Sequence, residues 1–531
     1  MSETYFVTTP IYYANGAPHI GHTYTTILAD TLVRWHRLHG REAFSVSGTD
    51  EHGEKMVEVA AKNGETPRQL VDRIAALFQS TWPELGIAAT RFVRTTSPEH
   101  VRNVQAVLAR LWANNAQDKW IELRSYEGDY CVGCERFLTE RDLVDGKCPD
   151  HERVPERRRE TNYFFLMSRA FDWLRDYIRD NPEFIRPVRY RNEALGMLAD
   201  TSGLGDLSIS RPKSRLEWGI ELPFDREHVC YVWFDALVTY LTGAGFDGTR
   251  PIAEQPAEFT ARWAVAEHLI AKDILKQHAI FWPTMLRAIG LAPPRHLNVH
   301  GYWNVDARKV SKSLGNMISP LLLRDRYGFE QARYFLLREM SFGNDANFTE
   351  EALVERVNAD LANNLGNLLS RTLNLVEKFC DARVPEPTLR GDAEAKLAEA
   401  APAAIADVEA AMAELRFHDA LAAIVAFSVR VNQYVDGHAP WKAAKQPGSE
   451  AIVRTSLYHA CESLRQISLL LSPFLPVASR EILARLGQPE ALVNARIEHV
   501  RGPALAPGTP ITKGTPLFPR LAPPILLPAA P

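Results

Sequence analysis

The chain has 531 residues, of which 46% are hydrophobic and 24% are charged, and its formal net charge at pH 7 is -4. This length predicts about three or four domains. The total charge neither predicts nor excludes a polyanionic partner, because nucleic-acid binding depends on a local basic surface. Apolar runs such as residues 420 to 429 are shorter than the ~20 residues that span a bilayer, and no basic leader precedes the first strand. We therefore expect a multidomain globular protein of the cytoplasm, with no membrane partner.

The first elements indicate an α/β domain. Residues 4 to 8 are typical of a buried strand, residues 21 to 39 carry apolar side chains at helical spacing, and residues 43 to 48 are typical of a second strand. This order predicts a doubly wound, Rossmann-like parallel sheet, whose ligands bind beyond the carboxyl ends of the strands. The polar cluster from Thr49 to Gly53 follows the second strand at such an end.

The later segments differ in character. Residues 114 to 227 are short aromatic and charged stretches that interrupt the strand and helix alternation, and after about residue 349 the chain becomes helical. Six apolar residues follow one another there at intervals of four: Leu353, Val357, Leu361, Leu365, Leu369 and Leu373. The last 31 residues contain nine prolines, which predicts an extended tail. The predicted domains are a sheet domain in two halves (1–113 and 228–320), an insertion (114–227), a linking stem (321–350), an α-helical domain (351–510) and a proline-rich tail (511–531).

A histidine pair lies between the first strand and the first helix, in Pro18-His19-Ile20-Gly21-His22. Main-chain N–H groups and the helix dipole favour phosphate at such a place, and Gly21 lets the main chain approach a ligand closely. Taken alone, two surface histidines at the start of a helix are an equally good interpretation.

A cationic segment lies far downstream, in Lys309-Val310-Ser311-Lys312-Ser313. Lysine binds phosphate as a mobile point charge, which suits a loop that closes over a triphosphate. Alone, this segment is better explained as a solvated basic turn. Its presence together with the histidine pair favours a nucleotide site.

Three of the six cysteines form a cluster. Cys131 and Cys134 are separated by two residues, as are Cys148 and His151, and these four side chains suit tetrahedral zinc. Because four protein ligands leave no open position, we expect one structural Zn²⁺ per chain. The remaining cysteines lie singly, which argues against a disulfide framework.

Together, the histidine and lysine motifs resemble the His-Ile-Gly-His and Lys-Met-Ser-Lys-Ser signatures of class I aminoacyl-tRNA synthetases, with Val310 in place of methionine. Four further segments, residues 9–16, 48–53, 231–237 and 278–282, resemble the methionyl-tRNA synthetases in particular. The resemblance implies activation of L-methionine by ATP, with Mg²⁺, to methionyl-adenylate, and its transfer to the 3′ end of initiator and elongator methionine tRNA. Such chemistry needs positioning and charge stabilisation but no protein nucleophile.

The resemblance also assigns roles to individual residues. It implies catalytic roles for His19, His22, Lys309 and Lys312, and ATP binding by Asn15, His19, Gly21, His22, Asp273, Val310 and Lys312. It implies methionine binding by Ile11, Tyr13, Asp50, Trp233, Ala236, Tyr240, His278 and Trp282, with Asp50 holding the ammonium group. Aromatic contacts favour a thioether, although without the resemblance these aromatic residues are ordinary core residues. Ala271, before Asp273, stands where the family commonly has glycine.

In the helical region, the resemblance implies that Asn367, Arg371 and Trp441 bind the anticodon, where amide and guanidinium groups contact base edges and an indole stacks on a base. Two alternatives remain. A class I synthetase for another amino acid is one, although the insertion is short for the editing domain of valyl, isoleucyl or leucyl enzymes. A non-catalytic RNA-binding paralogue is the other. We also expect a monomer.

Overall fold

A computed structural model describes residues 3–88, 90–132, 136–138, 140–149, 152–305, 308–309 and 318–522. The chain forms two compact units. The sheet unit contains the described residues of Thr4–Ala29 and Ala43–Gly301, and the helical unit contains Asp30–Glu42 and the described residues from Tyr302 onward.

The strands in chain order are β1 (Thr4–Tyr13), β2 (Glu42–Asp50), β3 (Arg91–Arg94), β4 (Ile121–Cys131), β5 (Arg136–Leu138), β6 (Glu156–Phe165), β7 (Ile185–Arg186), β8 (Leu207–Ser208), β9 (Ser210–Pro212), β10 (Glu221–Leu222), β11 (Asp225–Cys230), β12 (Ala266–Ala271), β13 (His296–His300), β14 (Trp303–Val305), β15 (Arg308–Lys309) and β16 (Ala346–Phe348).

The α-helices are α1 (Ile20–Leu38), α2 (Glu54–Asn63), α3 (Pro67–Glu84), α4 (Pro98–Ala113), α5 (Asn115–Asp118), α6 (Phe171–Asp180), α7 (Val188–Ala199), α8 (Val232–Ala244), α9 (Ala257–Trp263), α10 (Trp282–Ala288), α11 (Pro320–Tyr327), α12 (Phe329–Glu339), α13 (Glu350–Arg356), α14 (Asn367–Phe379), α15 (Asp392–Ala413), α16 (Phe417–His438), α17 (Pro440–Ala443), α18 (Glu450–Leu471) and α19 (Pro476–Arg485). Two π-helices cover Gln277–Phe281 and Val357–Gly366. Short 3-10 helices cover Glu140–Asp142, Met167–Ala170, Thr201–Gly203, Ile252–Glu254, Lys272–Ile274 and Ile497–Val500. None of the helices in the described ranges is long and apolar enough to cross a membrane.

The main sheet of the sheet unit has the strand order β3-β2-β1-β12-β13-β7. Its β1–β12, β12–β13, β13–β7 and β2–β3 pairs are parallel. The chain builds the sheet outward from β1 to β3 and then returns to the other side of β1 with β12. The connections that follow β1 and β12 therefore run to opposite sides of the sheet. This opens a crevice at the carboxyl ends of the two strands, where ligands bind in such folds. The predicted doubly wound parallel sheet is confirmed.

Buried apolar residues explain why these segments form a sheet. Phe6 in β1 and Val46 in β2 are buried in one hydrophobic core with Ile270 of β12 and Val299 of β13. Strands covered on both faces carry apolar residues on both sides, as parallel strands usually do. Helix α8 belongs to the same core and contacts both β1 and β3.

Apart from β7, the strands of the predicted insertion pair antiparallel. Strands β5, β4, β6 and β8 form one small sheet, and β10, β11 and β9 form another. The long β4–β6 pairing runs from Ile121↔Phe165 to Tyr130↔Glu156. The insertion also supplies β7 at the edge of the main sheet, where Ile185 pairs with Leu297.

The helical unit is built around α18, which is buried along most of its length and packs against α14, α16 and α19. All six residues of the four-residue ladder are buried. The helix that carries them changes from α to π between Val357 and Gly366 and returns to α at Asn367.

The proline-rich segment packs on the helical unit as far as it is described. Ile511 and Phe518 are buried. The Asn358 side chain donates to the Leu521 carbonyl oxygen at 3.0 Å and accepts from the Leu521 N–H at 2.8 Å. Residues 523–531 lie outside the described residues.

Candidate functional site

The histidine motif stands at the start of α1, directly after the loop that follows β1. The His19 and His22 rings are stacked with centroids 3.7 Å apart. The Gly21 N–H donates to His19 Nδ1 at 3.1 Å, and a Cβ at Gly21 would lie only 3.0 Å from the His19 ring. The two imidazoles therefore form one compact face beside the first main-chain N–H groups of the helix. Asn15 is half-buried in the same loop.

A cluster of aromatic side chains lies on α8, on the π-helix Gln277–Phe281 and at the start of α10. The Tyr240 hydroxyl in α8 is 2.6 Å from His278 Nε2, and the Tyr240 and Trp282 rings meet edge to face with centroids 5.9 Å apart. All three side chains are buried, as is Ala236, one helical turn before Tyr240. The π-helix Gln277–Phe281 carries His278 and leads directly into Trp282. π-Helical turns are frequent at functional sites.

Three other predicted pocket residues are half-buried. Ile11 packs directly beside Gly48 of β2, because a Cβ at Gly48 would lie 2.9 Å from Ile11 Cγ2. Tyr13 and Trp233 pack against the same hydrophobic core that contains Tyr240 and Trp282. The structure thus brings Tyr240, His278 and Trp282 into direct contact and places Tyr13 and Trp233 on the same core.

Asp50 is the last residue of β2 and is 95% buried, with an exposed fraction of 5%. Its carbonyl oxygen accepts a hydrogen bond of 2.9 Å from the Ala14 N–H, which joins the end of β2 to the loop after β1. Burial raises the pKa of Tyr240, and the charges of Tyr12 and Asp50 add to this effect.

Sequence reasoning missed the residues that hold this strand end in place. Asp235, with an exposed fraction of 1%, is 2.6 Å from both His52 Nδ1 and His100 Nε2. Burial alone would raise the pKa of Asp235, but the charge of His52 and the hydrogen bonds from both imidazoles together lower it. Asp235 belongs to the same helix as Trp233 and Ala236, so it connects that helix to the residues beside Asp50.

Glu51 is a second anchor of the strand end. It is fully buried, and Arg94 donates to its two carboxylate oxygens at 2.7 and 2.9 Å. Its main-chain carbonyl accepts from the Trp218 indole at 2.6 Å. A bidentate guanidinium–carboxylate pair fixes geometry as well as charge. The only sequence signal for these contacts was the density of polar residues from Thr49 to Gly53.

Asp273 is exposed in the 3-10 helix Lys272–Ile274, directly beyond the carboxyl end of β12. Burial lowers the pKa of His278 to about 4, against the opposing effects of the Ile274 carbonyl and the Asp273 charge. Ala271 has φ -82° and ψ 154°. Because this is ordinary extended backbone, alanine fits at this position, where the resemblance implied glycine.

The lysine motif lies mostly outside the described residues. The main chain of Lys309 belongs to β15, which pairs antiparallel with β14 through Asn304↔Lys309. Val310 and Lys312 are not described, so their predicted roles remain predictions.

The described part of the cysteine cluster has a small core of its own. Cys131 at the end of β4 and Cys148 are buried together with Leu138. The Cys148 N–H donates to the Arg153 carbonyl oxygen at 2.9 Å, in an isolated antiparallel bridge between these two residues. The other two predicted ligands, Cys134 and His151, lie outside the described residues.

The predicted anticodon residues lie on neighbouring helices of the helical unit. Asn367 is exposed at the start of α14, and Arg371 follows one turn later. The Arg371 guanidinium lies 5.4 Å from the centroid of the half-buried Trp441 ring and forms a 2.6 Å ion pair with Asp436. The structure thus joins Arg371 to Trp441, with Asn367 one turn before Arg371.

Family comparisons cover nearly the whole chain. Residues 5–154 and 151–373 match the family model of class I tRNA synthetases (M), and residues 384–522 match the anticodon binding domain of methionyl tRNA ligase. The methionine–tRNA ligase of Caldanaerobacter subterraneus subsp. tengcongensis is 41% identical over 98% of this chain and 79% of that protein. The methionine–tRNA ligase of Deinococcus radiodurans is 46% identical over 91% of this chain and 70% of that protein.

Comparison with solved structures agrees. The methionyl-tRNA synthetase of Mycobacterium tuberculosis in complex with methionyl-adenylate has a TM-score of 0.91 and 38% sequence identity, with 98% of this chain and 100% of that chain covered. Sequence family, fold and the order of the two signature motifs point the same way. The chain therefore belongs to the methionyl-tRNA synthetases of the class I aminoacyl-tRNA synthetases.

Proposed function

We propose that the residues described above carry out the two steps of a methionine–tRNA ligase. The chain activates L-methionine with ATP and transfers the methionyl group to tRNA. In the first step a methionine carboxylate oxygen attacks the α-phosphorus and pyrophosphate leaves. In the second, a ribose hydroxyl at the tRNA 3′ end attacks the carbonyl carbon and AMP leaves.

The observation that carries the choice of methionine is the buried cluster of Tyr240, His278 and Trp282, together with the buried carboxylate of Asp50 at the end of β2. Aromatic walls suit a polarisable thioether, and a carboxylate at a strand end suits an ammonium group. Ile11, Tyr13, Trp233 and Ala236 complete the proposed lining.

ATP binding is proposed for the residues at the carboxyl ends of β1 and β12 and for the lysine motif. His19, Gly21, His22 and Asn15 would hold the phosphates at the start of α1, and Asp273 would accept hydrogen bonds from the ribose hydroxyls. Lys309 and Lys312 would stabilise the charge that develops on the phosphates, with Val310 beside the adenine. Mg²⁺ would arrive with ATP and neutralise part of the triphosphate charge.

The experiment is amino-acid-dependent ATP–pyrophosphate exchange on the purified chain. We expect exchange with methionine alone among the standard amino acids, and an Asp50→Asn variant with a methionine KM raised by more than tenfold. Asp172→Asn, which changes a carboxylate that is 91% exposed on α6, is the matched control and leaves the KM unaltered. Exchange with another amino acid would establish a different synthetase, and no exchange with any would favour a non-catalytic paralogue.

Anticodon binding is proposed for Asn367, Arg371 and Trp441. The exposed amide and the guanidinium offer donors for base edges, and the half-buried indole offers one face for stacking. Both initiator and elongator methionine tRNAs carry the same anticodon, so both are proposed substrates.

A structural Zn²⁺ is proposed for Cys131, Cys134, Cys148 and His151. The burial of Cys131 and Cys148 in one small core supports this, because among the described residues of that core only Leu138 and Leu143 pack with them. Metal analysis should give about one zinc per chain, and Cys131→Ser should lower it well below one. A metal-free, folded and active preparation would disprove the proposal.

We further propose that the chain is a monomer of the cytoplasm. Its composition supports this location, and light scattering that gave a stable dimer would contradict the monomer.

A further inference from the structure

His268 lies in the middle of β12 and is fully buried, yet both of its ring nitrogens have polar neighbours. Nδ1 is 2.8 Å from Thr8 Oγ1, and Nε2 is 3.1 Å from the Trp282 indole nitrogen. An indole N–H can only donate. His268 Nε2 must therefore be the acceptor, and the ring is neutral with its proton on Nδ1.

His278 is fixed in the same tautomer by different neighbours. Its Nδ1 is 2.8 Å from the Ile274 carbonyl oxygen, which can only accept. The proton is therefore on Nδ1, and Nε2 accepts from the Tyr240 hydroxyl at 2.6 Å. Burial lowers the pKa of both imidazoles, His268 well below its usual value, which keeps these neutral forms at physiological pH.

The consequence concerns the walls of the proposed methionine pocket. Trp282 has one polar hydrogen, which His268 accepts, and Tyr240 has one, which His278 accepts. The indole N–H cannot rotate, so Trp282 retains no hydrogen-bond donor for a substrate. His268 also stacks on Tyr240 with ring centroids 4.2 Å apart, so one imidazole orients both walls.

We propose that His268 is a specificity-determining positioning residue that accepts the Trp282 N–H and thereby keeps this wall free of donors. A thioether is a weak acceptor and loses little against such a wall. A side chain of similar length that ends in a strong acceptor, such as a sulfoxide, must give up its hydrogen bonds with water and gains none in return. The proposal rests on the assignment of Tyr240 and Trp282 to the methionine pocket.

The test compares L-methionine with L-methionine sulfoxide and L-norleucine in ATP–pyrophosphate exchange. His268→Phe keeps a ring in place but removes the acceptor, which releases the Trp282 N–H. We expect the preference for methionine over the sulfoxide, as a ratio of kcat/KM values, to fall roughly three- to tenfold. The preference over norleucine, which has no acceptor, should stay within about twofold. His268→Gln restores an acceptor and should restore the preference over the sulfoxide.

A double-mutant cycle separates this role from simple packing. Trp282→Phe removes the donor itself, so adding His268→Phe to it should no longer change the preference over the sulfoxide. Trp263→Phe is the matched control, because that buried indole donates to the Ala292 carbonyl at 3.0 Å and lies near both rings without bonding His268. It should leave the preference unchanged.

Two results would overturn the proposal. His268→Phe could lower kcat/KM for all three amino acids alike, which would make His268 a packing residue only. Alternatively, His268→Phe could lower the preference for methionine over the sulfoxide by the same factor in the Trp282→Phe variant as in the wild type. That result would exclude the released N–H as the cause. If Trp282→Phe and Tyr240→Phe leave the methionine KM unaltered, the pocket assignment itself has failed, and this outcome is distinct from both.

Discussion

Asp235→Asn tests whether the buried Asp235 network holds the methionine site together. The carboxylate accepts two hydrogen bonds of 2.6 Å, and its exposed fraction is 1%. A hydrogen bond to a charged group contributes about 1.5–3 kcal/mol and a neutral one about 0.5–1.5 kcal/mol. Asparagine keeps the volume but has one oxygen and one NH2 group, so one imidazole retains an acceptor and the other must itself accept from the amide. Even with both bonds kept in this neutral form, the free energy of unfolding should fall by roughly 2–3 kcal/mol.

The substitution should also change substrate binding, because His52 is held next to Asp50 by this carboxylate. We expect the methionine KM to rise several-fold with a smaller change in kcat, measured by ATP–pyrophosphate exchange, and the urea midpoint to fall. Asp225→Asn is the matched control. It alters an Asp–His pair with a 2.9 Å separation and a carboxylate that is 25% exposed, and such a pair contributes about 0–1 kcal/mol.

The lowered pKa of Asp235 predicts how the stabilisation by this carboxylate depends on pH. A carboxylate whose pKa is lowered by folding stabilises the fold above its unfolded pKa of about 3.9, and this stabilisation is lost as the pH falls through the folded value. The part of the difference in unfolding free energy between wild type and Asp235→Asn that comes from this carboxylate should therefore persist at pH 5 and be lost only below about pH 4. Equal unfolding free energies and equal methionine KM values at pH 7 would refute the reasoning.

Three further outcomes are expected. The pKa of the buried, neutral His278 is lowered to about 4, so this residue takes up a proton more readily when unfolded. The unfolding free energy should therefore fall by about 1.8 kcal/mol between pH 7 and pH 5 from this residue alone; urea titrations with equal midpoints at pH 7 and pH 5 would contradict this. Trp441→Ala should weaken tRNA charging and spare ATP–pyrophosphate exchange, and equal loss of both would count against an anticodon role. Gly48→Ala should destabilise by about 1–3 kcal/mol, because a Cβ there falls on the Val93 carbonyl oxygen, whereas Gly196→Ala, where nothing lies within 4 Å, should be neutral or slightly stabilising in thermal denaturation.

Local patterns predicted the elements that carry the motifs. The first helix was expected over residues 21–39 and covers Ile20–Leu38, and the second strand was expected over 43–48 and covers Glu42–Asp50. These segments repeat at the period of their own structure, so the sequence alone identifies them. The strand extends further than its apolar run because Thr49 and Asp50 are buried by neighbouring side chains rather than by their own hydrophobicity.

The π-helix was missed, although the sequence carried a signal for it. In an α-helix of 3.6 residues per turn, residue i+4 lies beyond one full turn, and in the wider π-helix it falls short of one. Side chains four residues apart therefore drift around the helix in opposite directions in the two forms. They stay on one buried face of a helix that is partly α and partly π. The six buried ladder residues from Leu353 to Leu373 do so across the π-helix Val357–Gly366.

The hydrogen bonds that orient the site were beyond sequence reasoning. His268 bonds Thr8, 260 positions away, and Asp235 bonds His52, 183 positions away. Neither pairing leaves a trace in local periodicity, because each depends on strand order. His268 looks like an unfavourable polar residue inside an apolar strand until its two partners are known.

The strand order also has a consequence during protein synthesis. Phe6 of β1 pairs with Ala266 of β12, so the partner is made 266 − 6 = 260 residues later. At a ribosomal rate of about 5–20 residues per second, β12 is synthesised roughly 13–52 s after β1. Throughout this interval an apolar strand edge is available for incorrect pairing. Synonymous codon changes that slow translation between β3 and β12 should therefore increase chaperone association and aggregation without altering the finished enzyme.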